Sequence, residues 1–246
     1  MKFASIIITH WAMNDERSTV MIKSLTSLVQ TIKYPYELIV VDNGGSEEDS
    51  QFLTEMTNKG HISTYIKNSN NRHFGYARNQ GIAMAQGDYI AIIDNDILHK
   101  KDWLTRCVEI LEKFPEEKIY ATPIDYPQDA LYDGKVRYRV EEREIDGEKC
   151  SLNMRAGSNC FVIRYKDLMD IGKFAIHRIA GTKWTDNAVK KKYNALVLSK
   201  GYVEDMGFRN GYHLKDFKPV YIEFNNKDRV YFNVDEYENI NMRRFR

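Results

Sequence analysis

The chain has 246 residues, with 36 Lys and Arg against 35 Asp and Glu and a formal net charge of +1. Hydrophobic residues at 43% and charged residues at 29% make a globular balance, which excludes a disordered tail, a collagen-like fibre and a disulfide-stapled miniprotein. The near-neutral charge argues against a nucleic-acid coat. Cys107, Cys150 and Cys160 have no CxxC spacing, so they suggest a reducing compartment and no zinc knuckle.

Residues 5–9, Ser-Ile-Ile-Ile-Thr, form a short β-branched run of the kind buried on both faces of a sheet. The start carries one basic residue and too short an apolar run for a signal peptide, and no apolar run reaches the roughly 20 residues of a membrane span. The expectation is an unprocessed cytoplasmic chain. Residues 17–32 place Val20, Leu25, Leu28, Val29 and Ile32 at helical spacing, and Tyr34-Pro35 ends that helix. Residues 37–42 give a second buried strand, closed by Asn43-Gly44-Gly45-Ser46. A helix over 49–58, a strand over 61–67, a helix over 75–85 ending before Gly87, and a fourth strand over 89–94 follow. This alternation predicts an α/β domain with a largely parallel sheet.

Beyond Lys101, an amphipathic helix spans 103–114. Residues 119–150 read as strands with a hairpin on the sheet edge, 159–164 as a strand, and 166–171 as a short helix before Gly172. The spacing of Val189, Tyr193, Leu196 and Val197 predicts a helix over 186–200. The simplest organisation is one domain over 1–215 with an aromatic, arginine-rich extension over 216–246.

Asp42 follows the second strand, and Asp94 and Asp96 follow the fourth, at the strand ends where open parallel sheets bind ligands. A D-x-D pair at such a rim supplies hard oxygen ligands for Mg²⁺ or Mn²⁺, with substrate phosphates completing the shell. The plainer alternatives are helix caps and a polar turn, and Asp42 before Asn-Gly-Gly is a good turn on its own. Neither a GxGxxG after the first strand nor a P-loop is present.

Taken together, these segments resemble the family-two glycosyltransferases of the GT-A fold. The resemblance rests on residues 5–11, on Leu-Ile-Val-Val-Asp-Asn-Gly at 38–44, and above all on residues 70–96. There Gly75-Tyr76-Ala77-Arg78-Asn79-Gln80-Gly81 and Ala85-Gln86-Gly87-Asp88-Tyr89 through Asp94-Asn95-Asp96 follow the family's G-x-A-R-N-x-G and A-x-G-x-Y-x-x-x-x-D-x-D patterns. Residues 160–164 and Ile171-Gly172-Lys173-Phe174 are similar to its later strand and turn.

The resemblance implies a Rossmann-like, mostly parallel sheet flanked by helices, with a nucleotide-binding half over about 1–100 and an acceptor half over about 101–215, and transfer from a nucleotide-diphosphate sugar, UDP-sugar first, with inversion. Thr9, Trp11, Asp42, Arg78 and Asp94 match nucleotide-contacting positions, Trp11 by stacking on the base. Asp96 and Asp94 match the metal acids, and His213 is chosen over Asp205 as a third ligand. The family's Glu-Asp pair is Thr185-Asp186 here, which leaves Asp186 as the general base, at the start of its predicted helix where the dipole favours a carboxylate. Outside the family context, Trp11 reads as a core aromatic, Arg78 as a surface ion pair and Asp186 as a helix cap. The expected partners are a nucleotide-sugar donor and a glycan or lipid-linked acceptor, with no nucleic acid, at most peripheral membrane contact, and a possible oligomer through the extension.

Three rivals are weighed. A nucleotidyltransferase of related architecture expects a glycine-rich basic loop where His10-Trp11-Ala12-Met13-Asn14 stands, and a haloacid-dehalogenase phosphatase expects Thr where Ile97-Leu98 stands. A catalytically silent sugar- or nucleotide-binding domain is the rival from another class.

Overall fold

The computed structural model describes residues 2–11, 15–124, 139–176 and 180–206, and the backbone of two strands at 220–224 and 228–232. In chain order the first half runs β1 (Ala4–His10), α1 (Asp15–Thr31), β2 (Tyr36–Asp42), α2 (Glu47–Asn58), β3 (Thr64–Lys67), α3 (Phe74–Met84) and β4 (Tyr89–Asp94). Then follow β5 (Ile97–His99), α4 (Trp103–Lys113), β6 (Ile119–Thr122), β7 (Arg139–Ile145), β8 (Glu148–Asn153), β9 (Cys160–Arg164) and α5 (Tyr165–Ile171). The remainder is α6 (Ala180–Lys190), β10 (Asn194–Leu198), β11 (Val203–Asp205), β12 (Val220–Phe224) and β13 (Asp228–Phe232).

A nine-stranded sheet has the order β3-β2-β1-β4-β9-β6-β10-β8-β7. Strands β3, β2, β1 and β4 are mutually parallel, and β10 is parallel to β6. Strand β9 runs against both β4 and β6. The β7–β8 hairpin turns at Asp146-Gly147 and closes one edge, as the sequence predicts for 119–150. The whole is a mixed α/β fold with a large, mostly parallel sheet between helices.

Continuous apolar strands need cover on both faces, and β1 shows how that is met. Ile6 and Ile8 face a core formed with α1, α2 and α4, while Ile7 faces a second core formed with α3, α5 and α6. In the second core Trp184 stacks on Phe161 and Phe174, with ring centroids at 4.6 and 5.4 Å.

One element departs from the sequence reading. Residues 186–200 do not form a helix: α6 begins at Ala180 and ends at Lys190, and β10 follows after a turn. The reason lies in the burial of 193–198. Tyr193, Ala195 and Val197 face one core, and Leu196 and Leu198 face the other, a period of two. Tyr193, Leu196 and Val197 fit a helical spacing only because a helix end and a short strand were read as one window. Asp186 therefore lies inside α6, and the helix-dipole argument for its ionisation does not apply.

Candidate active site

The register of the three central strands builds one rim. Thr9 lies opposite Val41 on one side and Asp94 on the other, and His10 lies opposite Asp42. The residues that follow β1, β2 and β4 therefore emerge together at the C-terminal edge of parallel strands, the usual place for a ligand in an open α/β sheet. Thr9 and Trp11 are both half-buried there.

Asp42 is fully buried and its carboxylate receives four donors of the protein itself. Gly44 N and Gly45 N reach Oδ1 at 3.2 and 2.7 Å, while Ser50 Oγ and Tyr65 OH reach Oδ2 at 2.7 and 3.0 Å. Gly44 has φ +91°, and a side chain on it would meet the backbone of Asn70 and Asn71 at under 3 Å. Asp42 thus holds the loop 42–46 in its shape.

The Asp94-Asn95-Asp96 turn is anchored on both sides. Asp94 N donates to Asn159 O at 2.7 Å, and Met206 N donates to Asp96 O at 2.8 Å. Asp205 arrives opposite Ile97 through the pairing of β11 with β5, and its Oδ2 accepts from Asn159 Nδ2 at 3.0 Å. Burial, together with the charges of Asp94 and Asp205, pushes the Asp96 carboxyl up to about 7. Burial also raises Asp94, against the pull of Arg78. Three acids crowded in this way gain from a cation among them.

Arg78 comes from α3, and each residue of the G-x-A-R-N-x-G segment has a physical task. A side chain on Gly75 would collide with Ala175 O at 2.0 Å, and one on Gly81 with Ile7 Cγ2 at 2.4 Å, so glycine lets α3 lie against β1, Ala175 and Ala180. Ala77 is buried. Asn79 exchanges two hydrogen bonds with the backbone of Phe174, at 2.8 and 3.0 Å. The Arg78 guanidinium, 2% exposed, sits between the rings of Phe74 and Phe174, 4.9 and 5.1 Å from their centroids. Its Nη2 donates to Asp94 Oδ1. Its Nε and Nη1 are buried and meet no acceptor. Buried N–H groups in this state are rare.

Asp186 is partly exposed on α6 and pairs with Arg155. His213 lies outside the described residues, whereas Asp205, the other candidate, stands beside Asp94 and Asp96. No group of three or more His, Cys, Asp or Glu side chains among the described residues is a ready-made metal cage. The donor set nonetheless fits Mn²⁺ or Mg²⁺, since Asp94 and Asp96 offer hard carboxylate oxygens from one turn. The sequence reading missed His10, Asp49, Asn95 and Asn159 as parts of the rim. Ser46 with Asp49 three residues later is a capping-box spacing that flags the true start of α2, where the structure places both reciprocal bonds.

Parallel strands, two of them ending in acids, with a buried arginine bound to one of those acids, define an α/β protein of the GT-A fold class. The chain belongs to the glycosyl transferase family 2, whose model matches residues 5–172. It is similar to the hyaluronan synthase of Pasteurella multocida, 33% identical over 110 residues, which is 44% of this chain and 11% of that protein. It is also similar to a glucosyl-dolichyl phosphate glucuronosyltransferase of Haloferax volcanii, 28% identical over 47% of this chain and 36% of that one. The chain thus spans well under half of these two curated relatives. Among solved structures, GalNAc-T7 with UDP, GalNAc and Mn²⁺ shares the fold at a TM-score of 0.65 and 12% identity, over 82% of this chain and 43% of that one. Staphylococcus aureus TarS 1–349 in complex with UDP-GlcNAc does so at 0.60 and 17%, over 83% and 60%.

Proposed function

We propose that the chain is an inverting glycosyltransferase that moves a sugar from a nucleotide-diphosphate donor, a UDP-sugar, to the hydroxyl of a glycan or lipid-linked acceptor. The observation that carries this reading is buried Arg78, which reaches Asp94 at the rim through Nη2 and keeps two further N–H donors, Nε and Nη1, without acceptors. In this reading Trp11 and Thr9 receive the base and ribose, and Asp42 shapes the loop that faces the base. Arg78 donates to the diphosphate. Asp96, with Asp94, holds Mn²⁺ or Mg²⁺, which when bound neutralises negative charge on the leaving diphosphate. Asp186 takes the proton of the acceptor hydroxyl as the new C1–O bond forms. The C1–O bond to phosphate breaks on the opposite face, and its electron pair leaves with the nucleoside diphosphate.

The nucleotide is proposed as uridine because two solved neighbours were obtained with UDP or UDP-GlcNAc. A lipid-linked acceptor is proposed because the Haloferax relative is named for a dolichyl phosphate. No described helix is long and apolar enough to cross a membrane, and at most peripheral attachment through residues 216–246 is proposed. Titration calorimetry with UDP, ADP and GDP, with and without Mn²⁺, tests the assignment. UDP binding that strengthens with Mn²⁺ and weakens in Arg78→Met supports it, and a preference for no nucleotide defeats it.

A further inference from the structure

Two of the three residues of the Asp94-Asn95-Asp96 turn are tied down through their backbone, Asp94 by Asn159 and Asp96 by Met206. The middle one is tied through its side chain. Asn95 Nδ2 lies 2.9 Å from Nδ1 of His10, which is 0% exposed. The other ring nitrogen, Nε2, lies 3.0 Å from Asp49 Oδ2. An amide N–H facing Nδ1 makes that nitrogen the acceptor and puts the ring proton on Nε2, aimed at Asp49. Asp49 is itself fixed, as Oδ2 also accepts from Ser18 Oγ at 3.0 Å and from Ser46 N at 3.3 Å, while Asp49 N donates to Ser46 Oγ. Burial works against the Asp49 charge, but the bonds from His10 and Ser18 hold its carboxyl down at about 2. The imidazole is therefore gripped at both nitrogens, with its far end on the N-termini of α1 and α2.

We propose that His10 is a positioning residue for the Asp94-Asn95-Asp96 turn: clamped between Asp49 and Asn95, its ring fixes the turn's middle residue and so the aim of the carboxylates on either side. This rests on the function proposed above, because those carboxylates are the ones that would face the diphosphate and its cation. Partners one layer behind a ligating carboxylate typically change metal affinity 10- to 100-fold when removed. His10 differs from an apolar core residue in that both ring nitrogens are engaged. Each of its two polar atoms is matched to one residue, 39 and 85 positions away.

The experiment uses His10→Phe, which keeps the ring volume and removes both bonds, and Asn95→Ala, which cuts the clamp at its half-buried end. Hydrogen exchange of the amides of 94–97 is read on metal-free protein, and the Mn²⁺ concentration for half-maximal UDP binding is read by calorimetry. Both variants should exchange at least about tenfold faster over 94–97 and need about tenfold more Mn²⁺. The double variant should be no worse than the more affected single one, since both cut one chain. Wild-type exchange and an unchanged Mn²⁺ requirement in folded His10→Phe reduce its role to packing and overturn the proposal. If His10→Phe does not fold, the same result in Asn95→Ala overturns it. Should the wild-type protein bind neither UDP nor Mn²⁺, the glycosyltransferase reading falls, while the metal-free exchange still decides whether the clamp orders the turn.

Discussion

Among the described residues two buried arginines, Arg164 and Arg78, pair with aspartates, and they are built to opposite ends. Arg164, at the end of β9 away from the rim, gives Nη1 to Asp167 Oδ2 at 2.8 Å and to Glu117 O at 3.2 Å. Its Nη2 donates to the carbonyls of Leu111 and Phe114, the free acceptors at the C-terminus of α4. The other oxygen of Asp167 accepts from Tyr193 OH at 3.1 Å. Arg78, equally buried, uses Nη2 on Asp94 and leaves Nε and Nη1 without acceptors. A saturated pair locks helices to a sheet, whereas an unsaturated one at a strand rim is an incomplete site. The hydrogen-bond inventory, and not burial or charge, separates the two.

That contrast is broken most directly by paired truncations. Arg164→Met leaves Asp167 buried and uncompensated, so unfolding free energy should fall by about 3–5 kcal/mol in denaturant titrations, with UDP affinity unchanged in the folded fraction. Arg78→Met should do the reverse: a smaller stability loss, because Asp94 keeps 36% of its side-chain surface in solvent, and a large loss of UDP affinity. If both variants lose stability equally and neither loses UDP affinity, the contrast fails.

Asp96→Asn keeps shape and removes one charge from the rim. Metal-dependent release of UDP from a UDP-sugar should drop by about 10²–10³-fold, the range for removing one well-placed electrostatic group, with the thermal midpoint retained. Undiminished turnover removes Asp96 from the metal role.

Trp11→Ala addresses the half-buried aromatic after β1. Stacking on a base predicts weaker UDP binding by about 1–3 kcal/mol, the range known for base–aromatic stacking. A fall in thermal midpoint without any change in affinity would return Trp11 to the core.

The smallest expected effect concerns acid. Asp49 is 1% exposed and its carboxyl is depressed from 3.8 to about 2. Its contribution is complete above the unfolded-state value near 4 and disappears as pH falls through about 2. It amounts to at most about 2–3 kcal/mol, from a shift of nearly two units at 1.36 kcal/mol each. Asp49→Asn should therefore show a shallower loss of stability between about pH 4 and pH 2 than the wild type, measured by urea unfolding at stepped pH. Parallel curves would mean that the His10–Asp49 contact does not depend on charge.

Much of this architecture is legible in the chain itself. The β-branched runs at 6–8, 38–41 and 90–93 read as strands buried on both faces, and they are β1, β2 and β4. The acidic ends of β2 and β4 are therefore placed on one rim as soon as both lie parallel beside β1. The glycines at 75 and 81 and the Asn79 clamp show why the 75–81 motif has its residue types. The predicted helix over 186–200 failed because short windows confuse a helix end followed by a strand with one longer helix, and alternation across the two cores was needed to tell them apart. Local spacing determines which face of its own element a side chain occupies, since that depends only on backbone geometry. It cannot determine that Asn95 finds His10 across 85 residues, that Asp205 rather than another acid stands beside Asp96, or that Arg164 is saturated and Arg78 is not. Those facts follow from strand order and from which loops are brought together, so only the tertiary structure decided them.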